Sequence, residues 1–100
     1  MKIVTEEDRL ILSGRRGGGV RFADIIEVAA EKIGKVTYDE VFLIVRDKAG
    51  AAITFGELDE GFADAAQALR GRLPDFPSDW QGAAEMAAVG IRNQVWPTLD

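Results

Sequence analysis

Five consecutive apolar residues, Val41-Phe42-Leu43-Ile44-Val45, set between Asp39-Glu40 and Arg46-Asp47, constrain this chain more than any other stretch. So short a run of β-branched and aromatic residues suits a strand covered on both faces. It therefore predicts a central strand over Val41–Arg46. Asp47-Lys48-Ala49-Gly50 follows with the composition of a hairpin loop. Ala51 to Phe55 then returns as the partner strand with Ile53 and Phe55 on one face, so the pairing is expected to be antiparallel.

Upstream, Lys2 to Thr5 and Arg9 to Ser13 are β-rich and the acidic Glu6-Glu7-Asp8 between them is turn-like, which predicts a hairpin. Leu10 and Leu12 share one face of its second arm. After the glycine-rich Gly14–Gly19, Val20-Arg21-Phe22 alternate again as a third short strand. The segment Ile25 to Ile33 reads two ways. Apolar residues at 22, 25, 26, 29, 30 and 33 fit a helical stripe with Asp24 as N-cap and Gly34 as stop, whereas the neighbouring elements are strands.

Beyond Gly56 the period changes. Asp59 is placed to cap a helix whose Phe62, Ala65, Ala66, Leu69 and Leu73 form one apolar stripe, and Pro74 ends it. The connector Pro74-Asp75-Phe76-Pro77 is stiffened by its prolines. Ser78-Asp79-Trp80-Gln81 then fits a capping box, with Ser78 at N-cap and Gln81 at N3. The helix it opens carries a stripe of Trp80, Ala83, Ala84, Ala87 and Ile91, with Gly90 as a weak point near its end. Asn93 to Trp96 fits either strand or irregular chain. Both helices are alanine-rich, so the aromatic residues must supply much of the core.

Composition narrows the function classes. With 100 residues, 47% of them hydrophobic and 29% charged, the chain is sized and greased for one globular domain spanning 1–100. It has no Cys and no His, which removes disulfide scaffolds, thiolate nucleophiles and imidazole triads, and no cofactor is expected. The net charge of -5 is segregated: residues 51–100 hold Arg70, Arg72 and Arg92 against eight acidic side chains, while residues 1–50 balance. Nucleic acid is a poor partner for such a surface, and a basic protein a better one. No apolar run approaches the roughly 20 residues needed to span a bilayer, and the first residues turn acidic before any signal-like core forms. A cytoplasmic protein without a membrane partner is the expectation.

Several residue sets invite chemistry. The loop Ser13–Gly19 offers Arg15, Arg16, Gly17 and Gly18 as an anion cradle, but it lacks a P-loop ending and a following helix, so a solvated hairpin loop is the plainer reading. Glu57, Asp59 and Glu60 lack the spacing of a calcium loop and match the acidic bias of a helix start. Asp39 and Glu40 are adjacent on a strand and should not converge on one substrate atom. Trp80, Trp96, Phe76 and Asp79 form the candidate interface set, because tryptophan is enriched at binding hot spots; for Trp80 a place in the core competes with that role.

The order of signals also resembles a group of small bacterial α+β proteins for which no activity is established. The likeness is carried by Thr37-Tyr38-Asp39-Glu40-Val41-Phe42-Leu43-Ile44-Val45, the hairpin, Glu57 with Glu60-Gly61-Phe62, Leu73-Pro74-Asp75-Phe76 and Asp79-Trp80, and it covers roughly residues 20 to 82. It implies a compact antiparallel sheet, an extended Ile25–Ile33 and a helical C-terminal portion. Asp75 stands where that group usually has glycine, and Phe62 where it frequently has tryptophan.

Together these readings predict an α+β fold: an antiparallel sheet of about five or six strands over residues 2–55, followed by two helices, about 60–73 and 79–91, packed on one face. A curled, pleckstrin-homology-like sheet is the alternative architecture. The expected function is a non-enzymatic protein-binding or regulatory module with an acidic C-terminal half. A homodimeric structural protein, self-associating through a sheet edge or Trp96, is the alternative, and a small ligand carrier or enzyme comes third.

Overall fold

A computed structural model describes residues 2–14 and 18–97. The chain runs β1 (Lys2–Thr5), β2 (Arg9–Ser13), β3 (Gly19–Arg21), a 3-10 turn (Phe22–Asp24), β4 (Ile25–Gly34), β5 (Asp39–Asp47), β6 (Ala52–Gly56), α1 (Phe62–Arg72), α2 (Trp80–Met86) and β7 (Arg92–Trp96). The fold is α+β, with every strand pair antiparallel and the two helices in the C-terminal portion.

The strands form two sheets, β1-β2-β3 and β6-β5-β4-β7. The apolar run lies in β5, inside the larger sheet, with Leu43 opposite Phe55 on β6 and Ala30 on β4. Val41, Leu43 and Val45 face the core and are at most 1% exposed. Ile44, on the opposite face, is still only 7% exposed. Among the described residues no helix covers that outer face; the pairs Arg46–Glu27 and Arg92–Glu31 and Lys35, whose Nζ lies 5.5 Å from the Phe42 ring centre, border it instead.

Ile25–Ile33 is strand, and the helical stripe read from its spacing does not survive. Two members of that stripe, Ile26 and Ile33, are exposed, while Val28, which the stripe leaves out, is fully buried beside Ala29 and Ala30. Pairing with β5 along nearly all of this segment and with β7 over Val28–Glu31 satisfies its backbone, which outweighs its local preference.

The smaller sheet contributes Ile3, Leu10, Leu12 and Val20 to the same core as Val28, Val45, Ile53 and Phe55. The helices close it. In α1, Phe62, Ala65 and Leu69 are buried as their spacing predicts, and Phe62 sits between Phe55 (ring centres 5.8 Å apart) and Trp80 (6.2 Å). With the strands divided between two sheets, α1 lies against β1 and α2 over β4 and β5. Fully burying a side chain such as Phe55 or Leu69 contributes about 1.5–3 kcal/mol.

Three local expectations are corrected. Asp59 does not cap α1: Gly61 is the N-cap residue, and the Asp59 carboxylate accepts from the Gly56 N–H at 2.8 Å, closing the turn before it. The Ser78/Gln81 capping box is not formed either; Asp79 precedes α2 without a side-chain cap bond, and Gln81 donates to Glu57 at 3.3 Å. Finally, α2 stops at Met86 instead of reaching residue 91, leaving Ile91 52% exposed. The chain must leave the helix there to bring β7 back beside β4, and Gly90 (φ 83°) makes the bend while its N–H donates to the Lys32 carbonyl at 2.8 Å.

The Glu60-Gly61-Phe62 triplet acquires a physical reason. The Glu60 carbonyl accepts from the Ile3 N–H at 2.8 Å, sealing the edge of β1, and Gly61 (φ 90°) turns so close beneath it that a Cβ would lie 2.0 Å from the Ile3 carbonyl oxygen. Gly61→Ala should therefore destabilise the fold by more than about 2 kcal/mol, read as a lowered urea midpoint with an unchanged slope.

Candidate functional site

The interface residues expected from the sequence gather at one corner of the molecule, in two roles. The connector after α1 brings Phe76 and Trp80 inward, where they are 8% and 7% exposed and belong to the core. Both rings are thus mostly enclosed, the core place that competed with an interface role for Trp80 in the sequence, and Trp80 also lines the groove described next. The alanines of α1 and α2 bury little area each, so these large rings fill the space between helix and sheet. Asp79 is exposed beside them. Trp96, half-buried at the end of β7, donates its indole N–H to the Pro74 carbonyl at 2.7 Å and so ties the last strand to the connector.

Between α2 and β7 this packing leaves a groove of about 360 Å³. Trp80, Ala83, Ala84 and Ala87 line its helical side, Asn93 to Val95 its strand side, and Ala30 and Pro77 complete it. Among the described residues, Asp79 is its one charged lining residue. α2 lies over β4 and β5, and beyond the Trp80 ring only the methyl groups of Ala83, Ala84 and Ala87 reach toward β7, which leaves the groove open. Such a surface can hold small apolar side chains, with a carboxylate at one end for a cation.

The lining residues from β7 were the part not singled out in the sequence. Their one signal was the segment Asn93–Trp96, which fits a strand but carries nothing to show which neighbour it joins.

The other candidates come apart. Arg15, Arg16 and Gly17 lie outside the described residues. Gly18 accepts from the Leu12 N–H at 2.7 Å and, with Gly19, borders a depression where Arg9 and Arg21 stand beside Asp24 and Asp47, a mixed-charge lining. Glu57 accepts from the Val41 N–H at 3.0 Å. Glu40 is 6% exposed and accepts from the Leu58 N–H at 3.3 Å, while the neighbouring Asp39 is exposed, so the two do not converge. Glu40, Glu57 and Asp59 thus serve backbone N–H groups where β5, β6 and the approach to α1 meet. No group of three or more acidic side chains suited to a metal ion occurs among the described residues, and no helix there is long and apolar enough to cross a membrane.

No protein-family model, curated protein or solved structure matches the chain.

Two substitutions test how this corner is held. Asp75 has φ 59°, a left-handed conformation that glycine adopts without a Cβ penalty. Asp75→Gly should raise stability by about 0.5–1 kcal/mol and Asp75→Val lower it, measured by thermal and urea unfolding. Trp96→Phe removes the indole donor to Pro74 and should cost about 0.5–1.5 kcal/mol by the same assays.

Proposed function

We propose that this chain is a non-enzymatic, cytoplasmic protein-binding or regulatory module whose acidic helical half meets a basic partner. The observation that carries the reading is where the negative charge goes. The ion pairs Arg9–Asp8, Lys48–Asp24, Arg46–Glu27 and Arg92–Glu31 draw their acids from the first half of the chain. Glu60, Asp64, Asp75, Asp79 and Glu85 are exposed and make no ion pair among the described residues. Exposed carboxylates without internal cations keep their field available to a partner, raising encounter rates and disfavouring acidic competitors.

The immobilised chain should retain basic proteins from a cell extract at low ionic strength and release them as salt rises from roughly 0.05 to 0.5 M, as screening shortens the reach of the charges. A charge-reversed variant carrying Glu60→Lys, Asp64→Lys and Glu85→Lys should lose that retention while keeping its circular dichroism. Retention of nothing at either salt, or of the same proteins by the variant, would overturn the proposal.

A further inference from the structure

We infer that the groove beside β7 takes a basic peptide in extended form, which adds to the sheet as a fifth strand next to β7. This rests on the reading of the chain as a module for basic partners and names where and how the partner sits. β7 ends the order β6-β5-β4-β7, so along its outer side the backbone N–H and C=O groups meet no further strand among the described residues. Such a row is a template for an extended chain.

The other edges are occupied differently. Ile3 of β1 donates to the Glu60 carbonyl, and β3 lies against β6. β7 has little of the usual protection against pairing. It contains no proline or lysine, and its single arginine, Arg92, is held by Glu31 at 3.2 Å. The register irregularity with β4 falls at the Val28/Ala29 step, leaving Arg92, Asn93 and Gln94 in regular pairing.

An added strand would alternate its side chains as β7 does. Those in step with Arg92 and Gln94 lie on the outer face of the sheet. Those in step with Asn93 enter the groove, where Ala30, Ala83, Ala84 and Ala87 leave room for side chains of about valine size. Among the described residues no lysine or arginine lines the groove, and Asp79 is the one that brings it a negative charge, which suits a lysine or arginine of the incoming peptide. The same charge argues against a second copy of this chain, since edge-to-edge pairing would bring together two molecules of net charge -5.

The test is a nuclear magnetic resonance titration of the full chain with an end-capped heptapeptide of alternating lysine and valine. Controls are the same peptide N-methylated at every amide and a helical lysine–alanine peptide. The extended peptide should shift the amides of Arg92–Trp96 and the methyls of Ala83, Ala84 and Ala87, slow hydrogen exchange along β7, and bind roughly tenfold or more tighter than its N-methylated form. Ala83→Arg, an exposed helix position where folding can be checked by circular dichroism, should weaken it by a similar factor.

Equal binding of the N-methylated peptide, or shifts confined to Glu60 and Asp64 on the α1 side, would overturn strand addition and leave the basic-partner reading standing. Failure of both basic peptides to bind would overturn both. A dimer in sedimentation with β7 already protected in peptide-free protein would assign the edge to a second copy and overturn the inference.

Discussion

The structure depends on the burial of β5 from both sides of its sheet. Val41, Leu43 and Val45 contact the core, while Ile44 is sheltered on the opposite face, which no helix among the described residues covers. A strand in that position needs a hydrogen-bonded neighbour on each side, because a backbone group buried without a partner costs about as much as a lost hydrogen bond. β4 and β6 supply those neighbours, and the rest follows: β4 needs a second partner of its own, the chain returns as β7 to provide it, and α2 is cut short so that it can.

Acidic side chains finish what the ladders leave open. Where β5 begins and the chain turns from β6 toward α1, the carboxylates of Glu40, Glu57 and Asp59 accept from the N–H groups of Leu58, Val41 and Gly56. Part of the chain's negative charge is therefore structural. Other acids are displayed at the surface, Glu6, Glu7 and Asp39 in the first half of the chain and Asp64 and Glu85 on the helical half, where fewer basic residues offset them. This division separates the acids that hold the turn from those that give the surface its field.

The corner proposed to bind combines rigidity with openness. Phe76 and Trp80 are anchored in the core, and the Trp96 indole fixes the end of β7 to Pro74, so the groove is framed by elements that do not have to be ordered when a partner arrives. A pre-organised groove lowers the entropic cost of association. The methyl-sized side chains of α2 keep the helix short of filling the space beside β7, and the open ladder provides hydrogen-bonding groups in register.

Much of the fold was legible in local pattern. The run 41–45, the Asp47–Gly50 hairpin and the Phe62–Leu73 stripe each encode a period or a turn chemistry within a few residues, and each is realised where it was read. Ile25–Ile33 was not decided this way, since its spacing fits a helix and only the presence of strands on both sides makes it extended. The place of Asn93–Trp96 and the end of α2 were equally hidden, because they depend on an open edge far earlier in the chain, at Val28 to Glu31. The sequence by itself determined the class of fold, the central strand and the segregation of charge, all properties of neighbouring residues or of sums over them. Only the tertiary structure decided which rings are buried, which edge stays open and where a groove remains, because these arise from pairings between distant segments that compete for the same backbone hydrogen bonds.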